Sequence, residues 1–445
     1  MTSEILFSTF SRRAALRGGA MLGAGAAFAG LPFSSFAFGQ SADTASRWPG
    51  VAQFVRSYVD ERKVSGMVAA LGWGQNAPDF LAAGDRTFGG ASAVGPDTLY
   101  RIYSMTKPIT GMATMMCIDE GLIALDQPLH EILPAFRNMQ VQKTYDGAIT
   151  ADNLEPAVRP ITIRHLLTHT AGLGYSIVQQ GPLKAAYEAR GLIPGAISRL
   201  EMAQTIFGGE ATHSLEDFAD GLAEMPLVYQ PGTRWSYSVS LDLLGRVIEV
   251  ASGQAFDAFL QSRIFDPCGM ASTGFRVARE DAGRLAANYF LLGGVPVPVD
   301  LPNSSVFLDE PAFPFGGAGL VSSARDYDRF LQMLAGSGAI DGQQVMSEAA
   351  VRLGTSDLMP DTLAADGAFS FGERAFGYGA GGLVGQGDAA GLFGWFGAAG
   401  TAGLVNTNYG LRHTLMTQYM PAQEYDVQGR FPLVVAQDAV RMLAN

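Results

Sequence analysis

Only four of the 445 residues are lysine, and only one of them, Lys107, stands three places after a serine, in Arg101-Ile102-Tyr103-Ser104-Met105-Thr106-Lys107-Pro108-Ile109-Thr110. Residues three apart on a helix share a face with β-carbons about 5–6 Å apart, so the Lys107 amine can reach the Ser104 hydroxyl if a helix starts here. Pro108 says that it does, because proline lacks an amide donor and is tolerated only in a first helical turn. Ser104 is therefore expected at the N-terminal end, where unpaired amides and the positive dipole end favour a developing alkoxide. Behind the pair the helix is apolar: Ile109, Met112, Ala113, Met116, Cys117 and Ile118. Taken alone, the spacing also fits a serine cap beside a solvated lysine, so the rest of the chain has to decide.

With 48% hydrophobic and 16% charged residues the chain has material for a large packed core. A net charge of −12 argues against nucleic acid and anionic membrane surfaces as main partners, and a small neutral substrate fits better. Cys117 and Cys268 are too few for a disulfide framework or a metal cluster and read as buried thiols.

Residues 1–37 read as a targeting segment. Ser11-Arg12-Arg13-Ala14-Ala15-Leu16-Arg17 resembles a twin-arginine export signal, followed by a weakly apolar run from Ala20 to Phe38 with a small-residue cleavage site ending at Ala37. Pro32 and the many glycines make that run a poor permanent membrane span, and no cysteine follows it to carry a lipid anchor. A periplasmic or secreted protein is expected.

From residue 47 to 445 the chain reads as one α/β unit. Val51–Arg62 has helical apolar spacing, Val64–Trp73 reads as a strand, Gly391–Met420 alternates apolar runs with turns, and Phe431–Leu443 reads as a helix. Strands from the two ends are expected in one antiparallel sheet. Between them, helices are expected at Ile109–Glu120, Ile163–Thr168, Asp217–Met225, Leu241–Ala251 and Phe256–Ile264. These form a mainly helical lobe, roughly residues 101–305, inserted in the sheet lobe with the active serine between the two. Thr144–Arg159, Ser176–His213 and Asp361–Ala390 are candidate rims or lids.

Two further segments carry chemistry. In Tyr229-Gln230-Pro231-Gly232-Thr233-Arg234-Trp235-Ser236-Tyr237-Ser238-Val239 a tyrosine beside an ammonium could exchange a proton with a serine hydroxyl; read alone, it packs in a turn with Trp235 and Tyr229. In Gly391-Leu392-Phe393-Gly394-Trp395-Phe396-Gly397-Ala398-Ala399-Gly400-Thr401 glycine marks either close backbone approach to a ligand or an ordinary glycine-rich hairpin.

Together these segments resemble the serine β-lactamase and penicillin-binding-protein-like superfamily, most of all its class C-related esterases, the family VIII carboxylesterases. The carriers are Asp97–Thr110, Ile161-Thr162-Ile163-Arg164-His165-Leu166-Leu167-Thr168-His169-Thr170-Ala171-Gly172-Leu173, Tyr237-Ser238 with Asp242–Glu249, Phe265–Met270, and Phe315-Gly316-Gly317-Ala318-Gly319-Leu320-Val321-Ser322, all in family order. The resemblance implies a β-lactamase/transpeptidase-like fold: an antiparallel sheet flanked by helices plus a mainly helical lobe. It makes Ser104 the acylated nucleophile, Lys107 its partner and Tyr237 the proton shuttle, leaving open which of the last two is the base. It puts the oxyanion hole on the backbone amides of Ser104 and Ala398, and Tyr103, Val239, Trp395, Phe396 and Gly397 in the substrate pocket. It implies no cofactor and no metal.

Departures from the pattern narrow the substrate. Where the β-lactam-binding relatives carry Tyr-x-Asn or Ser-x-Asn, this chain has Tyr237-Ser238-Val239, and valine cannot bond a substrate amide. Their Lys-Thr-Gly element has no counterpart, since no lysine follows Lys184, and the slot reads Trp395-Phe396-Gly397. Small carboxylic esters are the expected substrates. Acyl transfer, D-amino-acid peptidase or amidase action, weak β-lactamase activity and a catalytically silent binding protein are the alternatives. His165 and His169 share the spacing of a zinc pair, but no glutamate lies between them and a packing helix is expected. A Ser-His-Asp hydrolase is disfavoured because the chain has no Gly-x-Ser-x-Gly elbow.

Overall fold

In the computed structural model, which describes residues 42–193, 195, 197–200, 210–363, 369–371 and 374–444, the alternating stretches near both ends meet in one sheet. The expected export segment, residues 1–37, lies outside the described residues. Helix α1 (Pro49–Asp60) leads into the antiparallel pair β1 (Gly66–Trp73) and β2 (Asp79–Gly84), and the short β3 (Leu99–Arg101) then runs into helix α2 (Thr106–Asp119). Helices α3 (Ile163–Leu167), α4 (Leu215–Ala223) and α5 (Ser240–Ser252) follow. Strand β4 (Val321–Ser323) and helix α6 (Ala324–Ala335) return the chain to the sheet. The sheet is completed by β5 (Gly377–Tyr378), β6 (Leu383–Val384), β7 (Leu392–Phe396), β8 (Ala402–Asn406) and β9 (Leu411–Met416), and helix α7 (Val427–Leu443) ends the chain.

The seven strands lie in the order β5-β6-β7-β8-β9-β1-β2, antiparallel throughout. Strand β1 pairs with β9 so that Val68 faces Met416 and Trp73 faces Leu411, which is how the two ends of the chain are joined. Successive side chains of a strand point to opposite faces. Accordingly Met67, Ala69 and Leu71 pack with Val51, Phe54, Phe431 and Val435 of α1 and α7, whereas Val68 and Ala70 belong to the core that includes Tyr327, Phe330 and Leu331 of α6. Helix α6 is started by Ser323, whose hydroxyl accepts from the Asp326 amide at 3.1 Å.

The residues between β2 and β5 supply the second, helical layer. Helix α5 is its hub, packed by α2, α3 and α4, and α2 also touches β7, so α2 spans the boundary between helices and sheet. Helix α2 starts at Thr106, which leaves Pro108 in the first turn as its missing amide requires. Its entry is pinned by β3, which pairs antiparallel with β4, and by Arg101. That guanidinium is wholly buried, with Nε 2.6 Å from Asp300 Oδ2 and Nη1 2.5 Å from the Ala286 carbonyl. Removing Asp300 would strand a buried charge, a change that costs about 3–5 kcal/mol. Both cysteines are buried and free.

Candidate active site

Ser104 lies in the single helical turn Tyr103–Met105, between β3 and α2. It therefore immediately precedes the helix that carries Lys107. The turn is entered through Tyr103, whose φ of 41° is in the left-handed region that non-glycine residues avoid. Such a residue stores about 1–3 kcal/mol and persists only where its surroundings hold it. Here the Tyr103 hydroxyl accepts from Asn288 Nδ2 at 3.0 Å, and its ring packs edge-on against Phe307.

Lys107 is completely buried. Its Nζ donates to Ser104 Oγ at 3.2 Å and to the Gly317 carbonyl at 2.7 Å, and it lies 4.5 Å from the centre of the Tyr237 ring and 5.9 Å from that of Tyr175. Tyr237 comes from the segment just before α5, and its hydroxyl donates to Ser104 Oγ at 2.8 Å. The Trp395 indole N–H reaches the Tyr237 hydroxyl at 3.4 Å, with the two rings stacked at 6.0 Å. Ser104, Lys107 and Tyr237, spread over 133 residues of sequence, thus meet on one oxygen atom.

Around this group the electrostatics are set by burial. His169 lies beneath Tyr237 with ring centres 4.8 Å apart. Its Nδ1 accepts from the Ser238 amide at 3.2 Å, which leaves the proton on Nε2. Burial and the nearby Lys107 charge hold this imidazole neutral, well below the usual histidine range. Asp242, in the first turn of α5, is fully buried; its Oδ1 accepts from the Gly317 amide at 2.8 Å and its Oδ2 has no hydrogen-bond partner among the described residues. Burial pushes its carboxyl up to about 6, against the pull of Lys107. Tyr175 is raised by burial, then by Asp242 and Tyr237.

The expected pocket residues divide. Trp395 and Phe396 end β7 beside Tyr237, Tyr378 and Phe369, and form an aromatic wall with Trp235. Phe369 brings the Asp361–Ala390 stretch to this wall, and Ile197 brings Ser176–His213 against the cluster that holds Tyr103 and Ala398. Gly397 follows the wall, where a β-carbon would stand 2.5 Å from the Ile102 carbonyl, so only glycine lets the strand end approach the Ser104 turn this closely. The Gly397 amide donates to the Thr401 carbonyl at 2.9 Å, whereas the Ala398 amide has no acceptor among the described residues. Val239 departs from expectation: it is wholly buried in the main core at the start of α5, so its side chain lines no open space. Tyr103 is likewise only 4% exposed, its ring committed to the cluster around Phe307.

The expected packing helix through His165 and His169 is also shorter than its spacing suggests. Helix α3 ends at Leu167, where Thr168 bonds back to the Arg164 carbonyl and the Thr170 amide caps the His165 carbonyl. His169 then turns into the left-handed region at φ 54°, toward Tyr237, while His165 closes a capping box with Thr162. The two rings therefore share no helical face. Sequence reasoning gave His169 only a place in a packing helix and assigned no site role to Tyr175, Asp242 or Gly317. For Asp242 the signal was an acid between Leu241 and Leu243 in the first turn of an amphipathic helix, five residues after Tyr237.

Comparisons with known proteins bear on the family and the fold. The family model described as Beta-lactamase matches residues 51–437. Esterase EstB of Burkholderia gladioli is 35% identical over 255 residues, which are 54% of this chain and 57% of the esterase. Acyltransferase calJ of Penicillium decumbens is 32% identical over 253 residues, 56% of this chain and 54% of its own. Among solved structures, EstCE1, described as a hydrolase with promiscuous acyltransferase activity, superposes with a TM-score of 0.69 at 23% identity, covering 89% of this chain and 99% of EstCE1. The resemblance and the fold class read from the sequence are both borne out.

Proposed function

The chain belongs to the Beta-lactamase family, and on that premise we propose that it is a serine hydrolase that forms an acyl-enzyme on Ser104 and hydrolyses small carboxylic esters. The observation that carries this reading is the Ser104 hydroxyl held between Tyr237, at 2.8 Å, and Lys107, at 3.2 Å. In the first half-reaction Ser104 Oγ attacks the ester carbonyl and its proton passes to the Lys107–Tyr237 pair. The carbon–oxygen bond to the alcohol breaks, and the same pair returns a proton to the leaving oxygen. Water then repeats the sequence on the acyl-enzyme and frees the acid. The amides of Ser104 and Ala398 would receive the oxyanion, a contribution of about 2.7–4 kcal/mol per donor.

Esters are favoured over β-lactams because the position of the amide-binding asparagine holds Val239, which turns into the core and offers no polar group. The position of the carboxylate-binding lysine lies in an aromatic wall. Turnover of a p-nitrophenyl ester, the matching anilide and a cephalosporin tests this; faster turnover of either amide than of the ester would reject it. A neutral phosphonate ester should label wild-type protein once, and Ser104→Ala not at all. Acyl transfer to an alcohol is the second reading, favoured by the 32% match to an acyltransferase. Partition between hydrolysis and ester exchange in the presence of added alcohol measures it. For residues 1–37 we propose export through the twin-arginine route, and the pair of changes R12K and R13K should keep the protein in the cytoplasm.

A further inference from the structure

Asp242 is an expensive residue with no role in the reaction as written. It is fully buried, one of its oxygens has no hydrogen-bond partner among the described residues, and a buried carboxylate so placed calls for an explanation. Its hydrogen-bond partner outside its own helix, among the described residues, is the Gly317 amide, at 2.8 Å. Gly317 is also the residue whose carbonyl accepts from Lys107 Nζ at 2.7 Å, a shorter bond than the 3.2 Å from the same nitrogen to Ser104 Oγ. A β-carbon on Gly317 would collide with the Asp242 carboxylate, so the strap is glycine where it must lie directly on the acid. Thr110 fixes the preceding peptide by donating to the Gly316 carbonyl at 2.7 Å. The strap thus connects a carboxylate on α5 to the amine on α2.

We propose that Asp242 is the positioning residue for Lys107: through Gly317 it aims a carbonyl at the amine, and its negative charge offsets the buried positive one beside Ser104. It touches neither the substrate nor the reacting oxygen and acts only through Lys107. The inference rests on Ser104 being the acylated serine. Opposite charges held in a dry site interact far more strongly than in water, so loss of this charge should be felt in chemistry rather than in substrate binding. The groups that face the carboxyl are Lys107 from α2 and Tyr175 from the loop before residue 182, with Tyr237 beyond Tyr175. The carboxyl, held at about 6, changes charge in mildly acidic solution.

The test is Asp242→Asn in the full chain, which keeps an oxygen acceptor for the Gly317 amide and removes the charge. With a p-nitrophenyl ester, kcat should fall about a hundredfold, KM should stay within about threefold, and the acid limb near pH 6 in the rate of Ser104 phosphonate labelling should disappear. Wild-type-like kcat with the acid limb intact would overturn the proposal. Should the variant not fold, labelling of the unaltered protein decides. A rate that declines below about pH 6 supports the proposal, and a rate flat from pH 5 to pH 8 overturns it. Failure of the phosphonate to label Ser104 at any pH would overturn instead the acyl-enzyme reading on which the inference stands.

Discussion

Lys107 Nζ lies 4.5 Å from the centre of the Tyr237 ring, and both residues reach the same Ser104 oxygen. A lysine nitrogen over an aromatic face is attracted to it when charged, the more so when desolvated. The lysine, the phenol and the serine are therefore one unit, in which moving any member moves the other two.

Tyr237→Phe keeps the ring under Lys107 and removes only the hydroxyl. Its kcat/KM should fall by about three orders of magnitude with little change in thermal stability. Lys107→Met should cost as much, and the double variant little more than either single one, because residues acting as a unit are non-additive. Steady-state kinetics on the four proteins check this, and losses that multiply would separate the two roles.

Gly397→Ala tests the approach of β7 to the nucleophile. The added carbon, 2.5 Å from the Ile102 carbonyl, must push the strand end away from the Ser104 turn. Overpacking of this kind costs about 1–3 kcal/mol, and displacement of the turn should lower kcat at least a hundredfold. Thermal melting and phosphonate labelling measure the two effects separately.

What was legible in the sequence was what local rules specify. Pro108 placed the start of α2, and the alternating apolar stretches placed β1 and the strands from β7 to β9. Order along the chain, through the family resemblance, singled out Ser104, Lys107 and Tyr237. What was not legible depends on long-range covering. Periodicity could not say that α3 stops at Leu167 and sends His169 beneath Tyr237, because the Thr168 hydroxyl that bonds back to the Arg164 carbonyl at the stop serves equally well inside a helix. Nor could it say that Val239 turns into the core while Asp242, three residues on, meets a glycine strap 75 residues away.

His413 offers a stability test away from the site. It is buried in β9 with neither ring nitrogen hydrogen-bonded among the described residues, and burial pushes it down to about 4. A folded-state value below the unfolded one gives stability that is present above about pH 6.5 and lost as pH falls toward 4, because the unfolded chain takes up the proton first. His413→Leu lacks this loss. The Tm of the variant minus that of the parent should become more positive between pH 6.5 and pH 4, and a difference independent of pH would contradict the assignment.

For Asp242 the sign is reversed, and the same substitution that tests catalysis tests stability. The carboxyl ionises at about 6 in the fold against an ordinary 3.8, so the folded chain holds its proton more tightly than the unfolded one. Stability from this group is complete below about pH 4 and is lost as pH rises through 6, where carrying the buried charge costs on the order of 3 kcal/mol. Asp242→Asn does not ionise and escapes that loss. Its Tm relative to the parent should therefore rise between pH 4.5 and pH 7.5, over the range in which its catalytic deficit should grow. A variant that gains stability at neutral pH while losing acylation would identify Asp242 as a charge retained for the reaction rather than for the fold; one that loses both would show the carboxylate to be part of the packing.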